Sequence, residues 1–162
     1  MVSDASLSGR GFRIAVVVSR YHDFVTDRLK TGAIEGLAAC GVQDDDVTVL
    51  DVPGSCESPM AARRAAETGR FDAIVCLGCL IRGETAHFEY IAAAASQGLM
   101  AASAATGVPM TFGILTTDSA EQALARAGSG PSNKGWESAV AAVEMARLFR
   151  TLTRPTSGGS QL

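Results

Sequence analysis

Apolar positions along this chain follow two rhythms that alternate. Arg13 to Ser19 reads Arg-Ile-Ala-Val-Val-Val-Ser, a β-branched run apolar at successive positions, as in a strand buried on both faces. From Asp23 to Cys40 the spacing lengthens. Leu29, Ala33, Leu37 and Cys40 fall on one helical face, and Gly41 stops the helix. Val47 to Val52 predicts a second strand, Pro59 to Thr68 a helix ended by Gly69, and Ala73 to Ile81 a third strand. A long helix follows from His87 to Thr106, closed by Gly107, and then a fourth strand from Pro109 to Leu115. Asp118-x-x-Glu121 reads as a capping box opening a short helix to Ala127, with Gly128 as its C′ residue. The last helix, Lys134 to Thr153, is expected to bury Trp136, Ala139, Val140, Val143 and Ala146. Strand and helix alternating in this way predict an α/β fold. Its form is a three-layer α/β/α sandwich around a four-stranded parallel sheet.

Composition narrows the class. The 162 residues suit one domain, and with 47% apolar but only 6% aromatic residues the core must be built from Ala, Val, Leu and Ile. A net charge of -3 without a block of like charge argues against nucleic acid as a partner. The Ala-rich stretch from Tyr90 to Pro109 is broken by Ser96, Gln97, Ser103 and Thr106, which opposes a membrane span. The first residues lack the apolar run of a signal peptide. A soluble, cytoplasmic protein is expected. Cys76 and Cys79 form a C-L-G-C pair, but three positions apart on a strand they point to opposite faces, as buried, inert thiols. No cluster has metal-ligand spacing, and no metal or other cofactor is expected. The helix over Tyr90 to Thr106 carries Ala92 to Ala95, Ala101, Ala102, Ala104 and Ala105. Small side chains allow close approach, either flat on the chain's own sheet or against copies in neighbouring subunits. Both readings stand at this point.

In open parallel sheets, ligands bind beyond the carboxyl ends of the strands. Those positions hold Arg20-Tyr21-His22, Pro53-Gly54-Ser55-Cys56-Glu57, Arg82-Gly83-Glu84-Thr85-Ala86-His87 and Thr116-Thr117-Asp118. One edge thus gathers an aromatic ring, both imidazoles, carboxylates, hydroxyls and arginines. Gly83-Glu84-Thr85 runs into a helix start, where free N–H groups and the helix dipole favour an anion. His87, in the first helical turn, can exchange protons as a neutral imidazole near neutral pH. Phosphate motifs of other kinds are missing: no G-x-G-x-x-G follows a strand, and Gly128 to Gly135 lacks P-loop spacing. A flavodoxin-type flavin carrier is opposed by the glycine-free turn from Arg20 to Thr26.

From about Phe12 to Phe149 the chain resembles the lumazine synthase family. The matching segments are Ser19 to Thr26, Val52 to Glu57, Leu77 to Phe88, Phe112 to Thr117 and Gln122 to Gly128, with Asn133-Lys134-Gly135 close behind. The resemblance implies a flavodoxin-like sandwich and a metal-free condensation. The amine of 5-amino-6-(D-ribitylamino)uracil attacks the ketone of 3,4-dihydroxy-2-butanone 4-phosphate to give an imine. Phosphate then leaves, and ring closure with loss of water gives 6,7-dimethyl-8-ribityllumazine, the penultimate step of riboflavin biosynthesis. It further implies that Tyr21 stacks on the pyrimidine and that Ser55, Cys56 and Glu57 line the ribityl chain. Cys79, Leu80 and Ile81 would meet the uracil edge. Glu84, Thr85 and Arg126 would bind phosphate, and His87 would shuttle protons. Phe112, Arg126 and Lys134 would come from a neighbouring subunit, with His87, Arg126 and Lys134 as the catalytic set. A homopentamer, with a sixty-subunit shell open to it and riboflavin synthase as a pathway partner, is implied too. That favours the subunit-packing reading of the Ala-rich helix.

The resemblance divides the chain into an N-terminal arm over residues 1–11, one domain over 12–153 and a disordered tail over 154–162. The arm can add a strand to a neighbouring subunit. Three positions depart from the family's habit. His22 follows Tyr21 where Asn is usual, Cys56 stands where a large apolar residue precedes the ribityl-binding Glu57, and Pro131 interrupts the linker before Asn133. The alternative is a non-catalytic flavin- or lumazine-binding or shell-forming protein on the same fold. His87, Arg126 and Lys134 together disfavour it, since a mere binder needs no proton shuttle beside an anion site.

Overall fold

The computed structural model describes residues 8–153. The expected tail and residues 1–7 of the expected arm, with any strand they add to a neighbour, lie outside the described residues. Four strands, β1 (Ile14–Ser19), β2 (Val47–Val52), β3 (Ala73–Ile81) and β4 (Met110–Thr117), form one parallel sheet in the order β2-β1-β3-β4. Five helices connect and flank them: α1 (Asp23–Ala39), α2 (Ser58–Glu67), α3 (His87–Thr106), α4 (Ala120–Arg126) and α5 (Lys134–Thr153).

The sheet divides the core in two, which makes the molecule a three-layer sandwich. On one face Ile14, Val16 and Val18 pack with Leu29, Ala33 and Leu37 of α1 and with Ala139 and Val143 of α5. On the other, Ala15 and Val17 meet Ala62 and Ala66 of α2 and Ala95 and Leu99 of α3. Strand β1 is central, and all six of its residues are buried, as its uninterrupted apolar run requires. Cys76 and Cys79 join opposite layers, as their odd spacing demands. Burial pushes the Cys76 thiol up to about 12 and that of Cys79 to about 11, so both stay protonated at neutral pH.

Local departures from expectation have simple causes. Strand β1 begins at Ile14 rather than Arg13, whose N–H donates to Asp72 Oδ2. Strand β4 starts at Met110 and runs to Thr117, because Thr116 and Thr117 still pair with Leu80 and Ile81. The capping box is Ser119-x-x-Gln122, not Asp118-x-x-Glu121. Ser119 Oγ accepts from the Gln122 N–H at 3.2 Å, and Gln122 Oε1 accepts from the Asp118 N–H at 3.0 Å. Gly128 follows α4 without the positive φ found at Gly41, Gly69 and Gly107. In α5, Ala139, Val143 and Ala146 are buried, while Trp136 and Val140 are only half-buried. No helix among the described residues is long and apolar enough to cross a membrane.

Candidate active site

Sheet pairing carries the chain past the strand ends into a common edge. The Arg20 N–H donates to Val52 O at 2.9 Å and the Tyr21 N–H to Pro53 O at 3.2 Å, tying the turn after β1 to the turn after β2. The Arg82 N–H donates to Thr117 O at 2.8 Å, tying the turn after β3 to the end of β4. Above this edge lies a cleft of about 660 Å³. Tyr21, His22, Gly54, Ser55, Cys56, Glu57, Cys79, Leu80, Ile81, Gly83, Thr85 and His87 line it, with Phe88 and Ile91 from α3.

One wall is aromatic. The Tyr21 ring is 66% exposed, and His22 meets it edge-on with centroids 4.6 Å apart. His22 also meets Phe24 edge-on at 5.8 Å. Partial burial lowers the His22 pKa below its ordinary 6.5 and keeps the ring neutral at pH 7. His22 has φ 60 and ψ 51, the only positive φ of a non-glycine residue among those described. Asn and His are both enriched in this left-handed region. The backbone there therefore suits a histidine as well as the asparagine that the resemblance led one to expect.

The rest of the lining is largely polar. Ser55 to Glu57 form a single 3₁₀ turn ahead of α2, with Cys56 and Glu57 exposed and Ser55 buried. Ser55 Oγ has no hydrogen-bond partner among the described residues. It sits against β3 at Gly78, where a Cβ would collide with it. Thr85 and His87 enter from the turn before α3, and Thr85 Oγ1 accepts from the His87 N–H at 3.4 Å. Arg82 braces that turn. Its Nε donates to Asp118 Oδ1 at 2.9 Å, it pairs with Glu89, and its guanidinium stacks 4.6 Å from the Phe88 centroid. Glu84 is exposed in the same turn and does not line the cleft.

The remaining expected site residues lie elsewhere. Phe112, Arg126 and Lys134 line a separate pocket of about 250 Å³ along edge strand β4, and no residue lines both. There Arg126 Nη1 donates to Gln122 O at 3.0 Å, and Lys134 Nζ lies 2.6 Å from Glu137 Oε2. The chain alone therefore keeps the expected cations apart from the aromatic and hydroxyl-rich cleft. The sequence placed His22 on the rim without a role, and it missed Phe88 and Ile91 as lining residues, although Phe88 stood within a recognised segment.

The family model of 6,7-dimethyl-8-ribityllumazine synthase matches residues 11–150. The chain belongs to that family. It is 49% identical to the 6,7-dimethyl-8-ribityllumazine synthase of Desulfosudis oleivorans over 151 residues, 93% of this chain and 96% of that one. The synthase of the same name from Syntrophus aciditrophicus is 45% identical over 151 residues, 93% of this chain and 98% of its own. Lumazine synthase kinship thus spans both the cleft and the pocket on β4.

Proposed function

We propose that this lumazine synthase family member condenses 5-amino-6-(D-ribitylamino)uracil with 3,4-dihydroxy-2-butanone 4-phosphate, releasing phosphate and water to give 6,7-dimethyl-8-ribityllumazine. The observation that carries this reading is the make-up of the cleft of about 660 Å³: an exposed aromatic ring lines it together with a buried hydroxyl that lacks a partner among the described residues and a carboxylate. Tyr21 stacks on the pyrimidine ring. Ser55 Oγ and Glu57 hydrogen-bond the ribityl hydroxyls beside Cys56, and Cys79, Leu80 and Ile81 meet the uracil edge. His87 takes the proton that the attacking amine sheds and returns one as water leaves the imine carbon. The phosphate then departs into an anion site made by the backbone at Glu84 and Thr85, through the start of α3, and by Arg126 and Lys134. Ring closure by the ribityl nitrogen expels a second water.

In this reading Phe112, Arg126 and Lys134 reach the cleft from a neighbouring copy, so the working unit is a homo-oligomer, a pentamer or a multiple of it. Ala93, Ala94, Ala101, Ala104 and Ala105 of α3 are exposed on the isolated chain beside Tyr90 and Met100, a close-packing face awaiting a partner. The product passes to riboflavin synthase. The free thiols of Cys56, Cys76 and Cys79 suit the reducing cytoplasm. The test is to mix the two substrates with the protein and follow lumazine fluorescence together with free phosphate. Both should rise in parallel. Binding of the uracil without release of phosphate would refute the reading.

A further inference from the structure

We propose that Asn133 is the positioning residue of the phosphate-binding cations, setting Arg126 and Lys134 in register through one buried amide anchored on α1. This rests on the assignment of Arg126 and Lys134 to the substrate phosphate.

Asn133 is only 1% exposed, although its side chain is polar. Its Nδ2 donates to Arg28 O of α1 at 3.1 Å and to Gly128 O at 2.6 Å. Its Oδ1 accepts from the Gly135 N–H at 2.7 Å and from the Trp136 N–H at 3.3 Å. An amide offers two donor hydrogens and two acceptor lone pairs, so every site is used. Extended at φ -67 and ψ 129, the residue caps α5.

Two of those partners stand beside the two cations in the chain. Gly128 lies two residues beyond Arg126, the last residue of α4, and Lys134 lies between Asn133 and Gly135. One side chain thus joins the end of α4 to the start of α5 and fixes both to α1. The α1 surface is cut for it. A Cβ on Gly32 would run into the Asn133 amide, and one on Gly135 would run into Leu29 O. Asn133 does not line the pocket that holds Arg126 and Lys134, so it acts only through them. Recognition of a phosphate by a planar guanidinium tolerates displacement of only about 0.5 Å, which is the requirement this joint meets.

Two variants in the assembled protein test the role. Asn133→Ser keeps a capping oxygen but removes both donors, and Gly32→Ala keeps Asn133 while crowding its amide. Inorganic phosphate and the ribitylamino-uracil serve as separate binding probes, with circular dichroism and light scattering as controls. Expected are native spectra and size, a phosphate affinity and sugar-phosphate KM each worsened about 10-fold or more, and uracil affinity held within about 2-fold. Unchanged phosphate affinity, equal weakening of both probes, or loss of fold in both variants would each overturn the proposal. Arg126→Ala, run alongside, separates the two layers. If it too spares phosphate affinity, the underlying assignment fails. If it alone destroys that affinity, only the positioning role fails.

Discussion

His22 carries a titration consequence that its place in the αL region makes easy to isolate. Unfolded, its imidazole titrates near 6.5; partly buried, it titrates lower. Between those two values the unfolded chain binds more protons than the native one, so stability falls as pH drops through that window and is whole above it. Replacing His22 with Asn, equally tolerant of the left-handed region, should flatten the slope of urea midpoint against pH on the acid side of 6.5. An unchanged slope would assign it to other groups. Arg126→Ala should remove a charge-assisted contact worth about 1.5–3 kcal/mol, read as at least a tenfold loss in kcat/KM for the sugar phosphate. Arg126→Lys should recover only part, because a point charge lacks the fork. At Cys56, exposed on the cleft wall, Ala should leave turnover near wild type, and Phe should tighten uracil binding by at most about 1 kcal/mol. An inactive but folded Cys56→Ala would make the thiol a functional group. His22 illustrates the limit of reading residues one at a time. Its place on the rim was plain in the chain, but its left-handed backbone follows from how β1 hands over to α1.

At the scale of elements, the contact between α2 and α3 is governed by Gly98. A Cβ there would stand 2.9 Å from Cβ and Cγ of Pro59. Alanine would gain about 1 kcal/mol of helix propensity, but a rigid ring cannot swing aside, and overpacking costs about 1–3 kcal/mol. The strain should win, so Gly98→Ala is expected to lower the melting temperature by a few degrees. A rise would show that the helices separate without penalty. Most element boundaries were readable because each rests on local signals. β1 is apolar throughout, α1 repeats its apolar residues at helical spacing, and glycines end the first three helices. The α4 capping box was misplaced by one residue because Asp118 and Ser119 are both competent caps. The chain's course out of β4 selects between them, since Thr117 and Asp118 are held by pairing to β3 and Arg82.

For the whole molecule, the separation of the two pockets makes a prediction about assembly. A Tyr21→Ala chain lacks the aromatic wall and an Arg126→Ala chain lacks a phosphate cation, and each alone should be severely impaired. Co-refolded in equal amounts, they should recover about one quarter of wild-type activity, because random neighbours pair one intact cleft with one intact cation pocket at that frequency. Steady-state turnover of the mixture reads this directly. No gain over the separate variants would mean that each site is completed within one chain.

Periodicity and turn residues were enough to establish the alternation of strands and helices, and ordered motifs at the strand ends were enough to establish kinship and most of the cleft. These are short-range properties: a two-sided apolar strand or a glycine-ended helix is encoded within a few residues, and parallel strands necessarily deliver their following turns to one edge. The strand order β2-β1-β3-β4, the placement of Arg126 and Lys134 on the far side of β4, and the amide of Asn133 inserted against Gly32 were not encoded locally. They depend on how helices distant in sequence cross. Asn133 reaches Arg28 over 105 residues of chain. Its Oδ1 is a local cap and Gly128 O a local acceptor, but its Nδ2 reaches Arg28 O only when α1 and α5 pack together.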